Sequence, residues 1–257
     1  MSTEPPFQTI AIVGLGLIGG SIAFAARKAW PSVRVVGIDR QAILDEAIGR
    51  RAIHDAGQDL AAVAAADLVV LAAHQIVVRL DRRGQDDEIG GGHPLGGGAR
   101  GGFEFATAGL FVRRPWIFTP LDTTPATATS RLFAFVRGLG AVPTTMGAAD
   151  HDRLLAFLSH LPQLAVSALM EVVGGAATEK GLTLAGQGLI DSTRLASSPA
   201  SVWRDICATN ADTIGDALDA LIARLTDLRA DLERGDALEE IFDEAARWRS
   251  ELMKTRE

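Results

Sequence analysis

The stretch IAIVGLGLIGGS, from Ile10 to Ser21, decides the fold. An apolar run typical of a buried strand breaks into glycines and then continues as an apolar helix. Gly14 permits a sharp exit from the strand, Gly16 lets the backbone approach a pyrophosphate, and Gly19 allows helix and strand to pack closely. The pattern predicts a dinucleotide-binding turn.

The helix N-terminus after the glycines is predicted to face the phosphates, because its unpaired N–H groups and positive dipole end favour negative charge. A second strand, Val33–Ile38, leads to Asp39, roughly 20 residues past the last glycine, where a carboxylate accepts hydrogen bonds from ribose hydroxyls. Asp39 would repel a 2′-phosphate, although Arg40 softens that repulsion, so the sequence favours NAD over NADP. The alternative is an ordinary βαβ turn followed by a chance acid. The predicted cofactor-binding residues are Gly14, Leu15, Gly16, Leu17, Ile18, Gly19, Asp39 and Arg40.

Composition and charge exclude several classes of protein. The 257 residues carry 25 Lys and Arg against 32 Asp and Glu, a net charge of −7, with no basic cluster containing aromatics, which argues against nucleic-acid binding. The single cysteine, Cys207, rules out an internal disulfide, and no Cys/His pattern predicts a metal site. The N-terminus is unlike a signal peptide, and apolar stretches are interrupted before they reach membrane-spanning length. We expect a soluble cytoplasmic protein that contacts no membrane.

The order of predicted elements indicates two domains. Two helices and three strands follow the second strand, at residues 41–51, 59–67, 68–73, 115–120 and 140–146. This alternation is typical of an α/β fold with a Rossmann-like, doubly wound parallel sheet. Pro143 marks the last strand as an edge strand, since proline cannot donate to a ladder. We place a dinucleotide-binding domain at residues 1–147 and an all-helical substrate and dimerisation domain at 148–257.

Three helices are predicted in this second part. One begins near Asp150 and continues past Pro162, which is expected to kink it. The next, over 203–234, has apolar residues at helical spacing and Gly235 as its stop. Asp236 begins the final helix with a capping-box-like pattern. The apolar stripe fits a core and a dimer interface equally well, because periodicity does not separate them.

A glycine-rich segment from Gly90 to Gly97 lies between sheet elements and contains His93. Loops at the carboxyl ends of strands form the crevice over a bound nicotinamide. A histidine there, with an ordinary pKa near neutrality, accepts a proton from a hydroxyl while hydride leaves the same carbon. The alternative is an exposed imidazole without a function. Three further histidines are interpreted as surface or structural residues: His54, His74 and His151.

Two more clusters carry candidate chemistry. One or two helical turns supply a hydroxyl, an imidazole and an amide, from Ser159, His160 and Gln163. Arg194 lies among small neutral residues, where a guanidinium suits a bidentate grip on a substrate carboxylate. The alternatives are a core histidine at position 160 and an ion pair of Arg194 with Asp191 or Asp205.

Taken in order, GLGLIGGS, GGHP, SHLP and DSTRLA followed by WRDI resemble the motifs of the prephenate/arogenate dehydrogenase family of tyrosine biosynthesis. The resemblance implies a Rossmann domain, a helical dimerisation domain, a homodimer, and oxidative decarboxylation of prephenate to 4-hydroxyphenylpyruvate with NAD as hydride acceptor. His93 matches the histidine that accepts the proton of the ring hydroxyl. Arg194 matches the arginine that binds a substrate carboxylate, and His160 matches a histidine lining the pocket.

The chain departs from the family pattern between Ala73 and Gly90. The family carries a helix, a strand ending in a Gly-Ser-x-Lys-type turn and a second helix before GGHP, so roughly 30 residues of a strand–helix unit are absent here. The apolar residues between Ile76 and Leu80 suffice for one short element. We expect a sheet one strand short, with a groove in the core beside the crevice.

Four functions are therefore compared. The motifs favour NAD-linked oxidation of prephenate. Arogenate differs by an ammonium in place of a keto group, and the neutral Gln163 discriminates strongly against neither substrate. The missing segment favours a catalytically impaired NAD-binding dimer. A similar two-domain oxidoreductase acting on another hydroxy acid or imine is the remaining alternative.

Overall fold

The computed structural model of the chain describes residues 4–57, 63–72, 76–82, 85–96 and 101–254, with only the backbone described over 76–82 and 85–90. It divides into two units, Met1–His151 and Asp152–Glu257. The division falls inside the first helix of the helical part, shortly after the boundary expected at residue 147.

The first half of unit one has the predicted Rossmann-like architecture. Its strands are β1 (Thr9–Val13), β2 (Arg34–Ile38), β3 (Asp55–Ala56) and β4 (Leu68–Ala72). They pair in parallel in the order β3-β2-β1-β4. The connecting helices are α1 (Leu17–Ala29) and α2 (Gln41–Gly49). The strands are continuous apolar runs because both faces are covered, and Ile10, Val35 and Leu68 are fully buried. The helix expected over 59–67 lies partly outside the described residues.

The second half of the sheet differs from the expectation of parallel pairing. β5 (Ile76–Arg82) pairs antiparallel with β4, and β6 (Gln85–Pro94) pairs antiparallel with β5 and with β7 (Pro115–Thr119). β8 (Val142–Thr145) lies parallel to β7 at the edge, as Pro143 predicted. In the described residues the order is β3-β2-β1-β4-β5-β6-β7-β8. The expectation of a sheet one strand short is wrong, because antiparallel neighbours need only a short connection.

A small cavity lies where the groove was expected. Helix α3 (Ala126–Gly138) packs on this half of the sheet through buried Leu132 and Phe135. Between α3, β4 and β7 the described residues enclose a cavity of about 10 Å³, lined by apolar and aromatic side chains. A cavity of this size and apolar lining costs little stability.

Unit two is helical throughout its described residues. Its elements are α4 (Ala148–Leu155), a π-helical turn (Ala156–His160), α5 (Leu161–Leu182), α6 (Gln187–Ser192), a 3-10 turn (Arg194–Ser197), α7 (Ala200–Thr209), α8 (Ala211–Ala230) and α9 (Asp236–Lys254). A π-helical turn precedes Pro162, but the kink expected at this proline lies elsewhere in α5, at Thr178, where φ is 59° and ψ is 173°. A small core joins this turn to α8 through Ala156, Ile214 and Ala217.

Two helix ends differ from their predictions. The single helix expected over 203–234 is wrong, because Asn210, with φ −127° and ψ 32°, separates α7 from α8. The start of α9 is capped from Asp231, whose buried carboxylate accepts the N–H of Ala237 at 2.6 Å. This carboxylate also pairs with Arg234 at 3.2 Å.

Large apolar side chains of unit two are exposed in the single chain. They include Leu158, Val172, Ile190, Ile222, Leu225, Leu232, Phe242 and Trp248. The predicted stripe is thus partly uncovered on α8, at Ile222 and Leu225, and Leu232 just after this helix is 72% exposed. Contrary to the expectation of interrupted apolar stretches, Ala148–Leu182 is long and apolar enough to cross a membrane by length and composition alone. Exposed large apolar side chains in this number are typical of an interaction surface.

Candidate functional site

The glycine turn between β1 and α1 is shaped for close approach of a ligand. Gly14 has a φ of 91° and donates its N–H to the Ile38 carbonyl at 2.9 Å, beside β2. A Cβ on Gly19 would overlap the Gly14 carbonyl oxygen, so only glycine lets α1 pack so close to the turn. A Cβ on Gly16 would meet none of the described atoms within 4 Å. The space in front of Gly16 is therefore accessible.

The first turn of α1 presents N–H groups to that space. Gly16 is the N-cap and has no side chain with which to cap the helix, and no acidic residue lies in the first turn. Leu15 is buried, whereas Leu17 and Ile18 are half-buried. An uncapped helix N-terminus with its positive dipole end is suited to a diphosphate.

Asp39 is held at the mouth of the same turn. Its Oδ2 accepts the N–H of Leu15 at 2.6 Å, and its Oδ1 accepts the N–H of Arg40 at 2.7 Å. These bonds fix a half-buried carboxylate at the end of β2, while the Arg40 side chain is exposed. Each carboxylate oxygen has a second lone pair for a ribose hydroxyl.

His93 lies on strand β6 and not in the loop that the glycines predicted. It pairs with Ile117 of β7. A Cβ on the preceding Gly92 would lie 3.2 Å from the Trp116 indole nitrogen and from the Phe118 ring. The glycines are therefore needed for β6 to run beside the large aromatic residues of β7, and they place His93 at a fixed position on the sheet.

His93 has a partner that the sequence analysis missed. Its Nδ1 lies 3.1 Å from Nε2 of His151, and the two half-buried rings meet edge to face with centroids 5.3 Å apart. His151 had been interpreted as a surface or structural residue. A signal was present, since His151 lies in the first turn of the first helix after the sheet, but the sequence does not show which residue it meets.

The other two histidines interpreted as surface or structural residues are His54 and His74. His54 is exposed and its Nδ1 accepts the N–H of Val35 at 3.1 Å, which is the structural role predicted for it. His74 lies outside the described residues. Among the residues that are described, no group of three His, Cys, Asp or Glu side chains is arranged to hold a metal ion.

In unit two, the π-helical turn separates two predicted site residues. Ser159 is exposed, whereas His160 is only 8% exposed. The His160 ring packs edge to face on Trp203 of α7 with centroids 6.0 Å apart. Its Nδ1 lies 3.4 Å from Nδ2 of Asn210. The interruption between α7 and α8 thus places an amide against the imidazole, which the expected continuous helix did not predict.

Gln163 is buried, and its amide is bonded within the unit. Its Nε2 donates to the Leu195 carbonyl at 2.9 Å, and its Oε1 accepts the hydroxyl of Ser198 at 3.1 Å. Only 4% of the side chain is exposed. Gln163 therefore ties α5 to the 3-10 turn that begins with Arg194.

Arg194 is exposed at the start of this 3-10 turn. The suggested pairing with Asp191 is not formed among the described residues, where Asp191 instead accepts the amide N–H of Gln187 at 2.8 Å. The guanidinium is thus presented at the surface of unit two on a turn anchored through Gln163.

Two family models match the chain. The model described as the nucleotide-binding domain of prephenate dehydrogenase matches residues 73–144, and the model described as its dimerization domain matches residues 147–244. His93 lies in the first match and Arg194 in the second. The glycine turn lies before both.

Curated relatives match over most of their length. Prephenate dehydrogenase of Bacillus subtilis is 30% identical over 267 residues, covering 90% of this chain and 71% of the relative. Cyclohexadienyl dehydrogenase of Zymomonas mobilis is 31% identical over 279 residues, covering 95% of each. Both alignments are longer than this 257-residue chain, as expected if it lacks a segment that the relatives contain.

Solved structures share the fold. Prephenate dehydrogenase from A. aeolicus, in complex with hydroxyphenyl propionate and NAD+, has a TM-score of 0.83 at 25% identity, covering 95% of this chain and 98% of that one. Synechocystis arogenate dehydrogenase has a TM-score of 0.77 at 23% identity, covering 95% and 99%. The Rossmann-like sheet followed by a helical unit is therefore confirmed.

Proposed function

The chain belongs to the prephenate dehydrogenase family, and from this premise we propose that it catalyses NAD-dependent oxidative decarboxylation of prephenate to 4-hydroxyphenylpyruvate. The observation that carries the proposal is the position of His93 on β6, in the same unit as the accessible glycine turn and with a defined partner on one ring nitrogen. An imidazole so held is suited to general base catalysis.

The nucleotide site is proposed to be formed by three features of unit one. The N–H groups at Leu17 and Ile18 bind the pyrophosphate, Gly16 lets it approach, and Asp39 accepts hydrogen bonds from the ribose hydroxyls. The carboxylate is already oriented by Leu15, so little ordering is needed on binding. Bound NAD supplies the acceptor for a hydride.

His93 accepts the proton of the ring hydroxyl as hydride leaves the carbon that bears it. The carboxylate on the opposite side of the ring then departs as carbon dioxide, its bonding electrons make the ring aromatic, and the phenolate oxygen so formed takes the proton back from His93. The aromatic product drives this step, so the protein has mainly to orient the substrate and to hold the base.

Unit two carries further residues that are proposed to bind substrate. Arg194 pairs with a carboxylate, for which its exposed guanidinium has the bidentate geometry. His160 and Ser159 complete the polar lining. The buried bonds of Gln163 support an indirect contribution, in which it positions the turn that carries Arg194.

A homodimer is the proposed assembly. The match to the dimerization-domain model covers residues 147–244, which include the exposed apolar residues of α8 and the whole helical stretch Ala148–Leu182. A second copy that covers these residues accounts for their exposure in the single chain without a membrane. We also propose a cytoplasmic location, in keeping with the biosynthetic enzymes among its relatives.

A turnover assay with a matched pair of variants tests the function. Purified protein mixed with prephenate and NAD should produce the absorbance of reduced nicotinamide. His93→Asn should abolish turnover and leave NAD affinity nearly unchanged. His54→Asn is the control, because residue 54 is exposed and lies next to β3, on the opposite side of β1 from β6. This variant should retain both turnover and NAD affinity. Turnover by the His93 variant at the wild-type rate would remove His93 from its role.

Arogenate is the second candidate substrate. The relative named cyclohexadienyl dehydrogenase is 31% identical and covered over 95% of its length, and the amide of Gln163 is neutral and bonded within unit two. Side-by-side assays with prephenate and arogenate, each with NAD and NADP, distinguish the two. NAD binding without turnover on either substrate would instead identify an impaired NAD-binding protein, in which the β5–β6 pair does not replace the absent segment.

A further inference from the structure

We propose that His151 is a positioning residue that holds the proton of His93 on Nδ1 and so leaves Nε2 as the base. The catalytic purpose of this arrangement rests on the proposed function. The positions of the protons on the two imidazoles are testable without substrate. The first turn of helix α4, which carries His151, thereby contributes to the chemistry of His93 on the sheet.

The contact is formed by residues far apart in sequence. His93 is fixed by the pairing of β6 with β7, and His151 lies on α4, 58 residues later. Both rings are half-buried, so water competes less for their nitrogens than at the surface. The 3.1 Å separation of Nδ1 and Nε2 is that of a hydrogen bond.

A single proton lies between the two nitrogens. Two lone pairs at this distance would repel, and two N–H groups would clash, so one ring donates and the other accepts. If His93 Nδ1 donates, Nε2 of the neutral His93 ring carries the lone pair that general base catalysis requires. If His151 Nε2 donates, His93 carries its proton on Nε2 and cannot accept another there. Only the first arrangement supports proton transfer from a hydroxyl.

The same contact stays favourable after the proton moves. When His93 has taken the hydroxyl proton on Nε2, its ring is positively charged and still donates from Nδ1. Neutral His151 accepts this stronger, charge-assisted hydrogen bond. An orienting acceptor behind a catalytic histidine is how the aspartate of a serine protease triad acts, and here an imidazole takes that position.

Spectroscopy of isotope-labelled imidazoles tests the proton position. The chain has five histidines, so each ring is assignable by single His→Gln variants. The chemical shifts should show protonated Nδ1 and unprotonated Nε2 for His93, with a coupling across the hydrogen bond to Nε2 of His151. The reverse protonation of His93, or no coupling between the two rings, would overturn the proposal.

Two substitutions of His151 test the role in turnover. His151→Leu fills similar volume without an acceptor and should lower kcat by about a hundredfold, the scale of general base catalysis, with NAD affinity unchanged. His151→Gln can present an amide oxygen in place of Nε2 and should restore kcat to within about tenfold of wild type. Thermal unfolding of both variants checks that they fold.

The outcomes separate this proposal from the proposed function. Wild-type kcat in the Leu variant, or equal losses in both variants, would overturn the role of His151 while leaving the function intact. Wild-type protein that turns over neither prephenate nor arogenate would overturn the function, and the imidazole spectra would then decide the proton position on their own.

Discussion

Nδ2 of Asn210 lies 3.4 Å from Nδ1 of His160, and the same amide nitrogen donates to the Asp152 carbonyl at 2.9 Å. A carbonyl only accepts, so this second bond fixes the orientation of the amide. The remaining N–H of Asn210 then points to His160, whose Nδ1 accepts it. The neutral His160 ring consequently carries its proton on Nε2.

Substitution of Asn210 should therefore impair substrate binding and stability together. Asn210→Leu removes the amide hydrogen bonds to the Asp152 carbonyl and to His160 Nδ1, which should cost about 1–3 kcal/mol of unfolding free energy. We expect a higher KM for prephenate with NAD affinity unchanged, measured by steady-state kinetics and calorimetry. Thr209→Ala, which removes a hydroxyl bonded only within α7, is the control. An unchanged KM would contradict a link between Asn210 and the substrate.

A substitution in the glycine turn should weaken NAD binding without lowering the stability of the fold. Gly16 has an ordinary φ of −70°, and its added Cβ meets no described atom within 4 Å. Gly16→Ala should fold normally but place a methyl group where the pyrophosphate approaches, weakening NAD roughly tenfold or more. Titration of NAD by calorimetry measures the loss. Wild-type affinity would show that the diphosphate does not bind there.

The neighbouring Gly19 should behave in the opposite way. Its added Cβ would overlap the Gly14 carbonyl oxygen, so Gly19→Ala forces α1 away from β1. We expect a loss of about 3 kcal/mol in unfolding free energy, measured by denaturant titration. The variant is the matched partner of Gly16→Ala, since it changes packing and not the open face. Equal stability of the two variants would contradict this geometry.

Asp39 should decide the preference between nicotinamide cofactors. Asp39→Asn removes the charge that accepts ribose hydroxyls and repels a 2′-phosphate, and should weaken NAD by about 1.5–3 kcal/mol. The affinity ratio of NAD to NADP should fall as well, measured by titration of each. Asp45→Asn, an exposed change on α2, is the control. A preserved ratio would show that another residue selects the cofactor.

His54 should make stability depend on pH. Burial, followed by the charge of Arg27, lowers the pKa of His54 below its ordinary value of 6.5, with Asp55 acting against this. A lowered folded pKa means that the unfolded chain binds the proton more tightly. The contribution to stability is therefore complete above about pH 6.5 and is lost as the pH falls through the lowered pKa.

Thermal unfolding across this pH range measures the effect. His54→Asn keeps an acceptor for the N–H of Val35 but does not titrate in this range. The melting temperature of wild type should fall more steeply than that of the variant below about pH 6.5. The effect should be small, because the imidazole is largely exposed. Parallel curves would show that His54 titrates alike in both states.

The features predicted correctly from sequence are those that depend on neighbouring residues. The glycine turn, its helix and the strand leading to Asp39 follow from local backbone requirements and apolar periodicity. Pro143 likewise identified the edge strand without knowledge of its partner. These signals lie within a few residues of the structure that they specify.

The features that were missed depend on contacts between distant residues. His93 was expected in a loop because its glycines are turn residues, whereas the aromatic side chains of β7 select glycine on β6. The cap of α9 by Asp231, the break at Asn210 and the partner of His93 each needed positions in space. The burial of Gln163 and its hydrogen bonds to the turn that carries Arg194 were likewise not visible in the helical pattern.

The meander of β4, β5 and β6 also changes how the sheet is assembled. Ala72 pairs with Ile76, and Val69 with Arg79. The paired residues of β4 and β5 are therefore close in sequence, whereas a parallel pair would need a long crossover connection. Low contact order lowers the entropy lost before the first contacts form. Strands β4, β5 and β6 are accordingly expected to pair early and to offer a local nucleus on which the distant strands β1 and β7 dock.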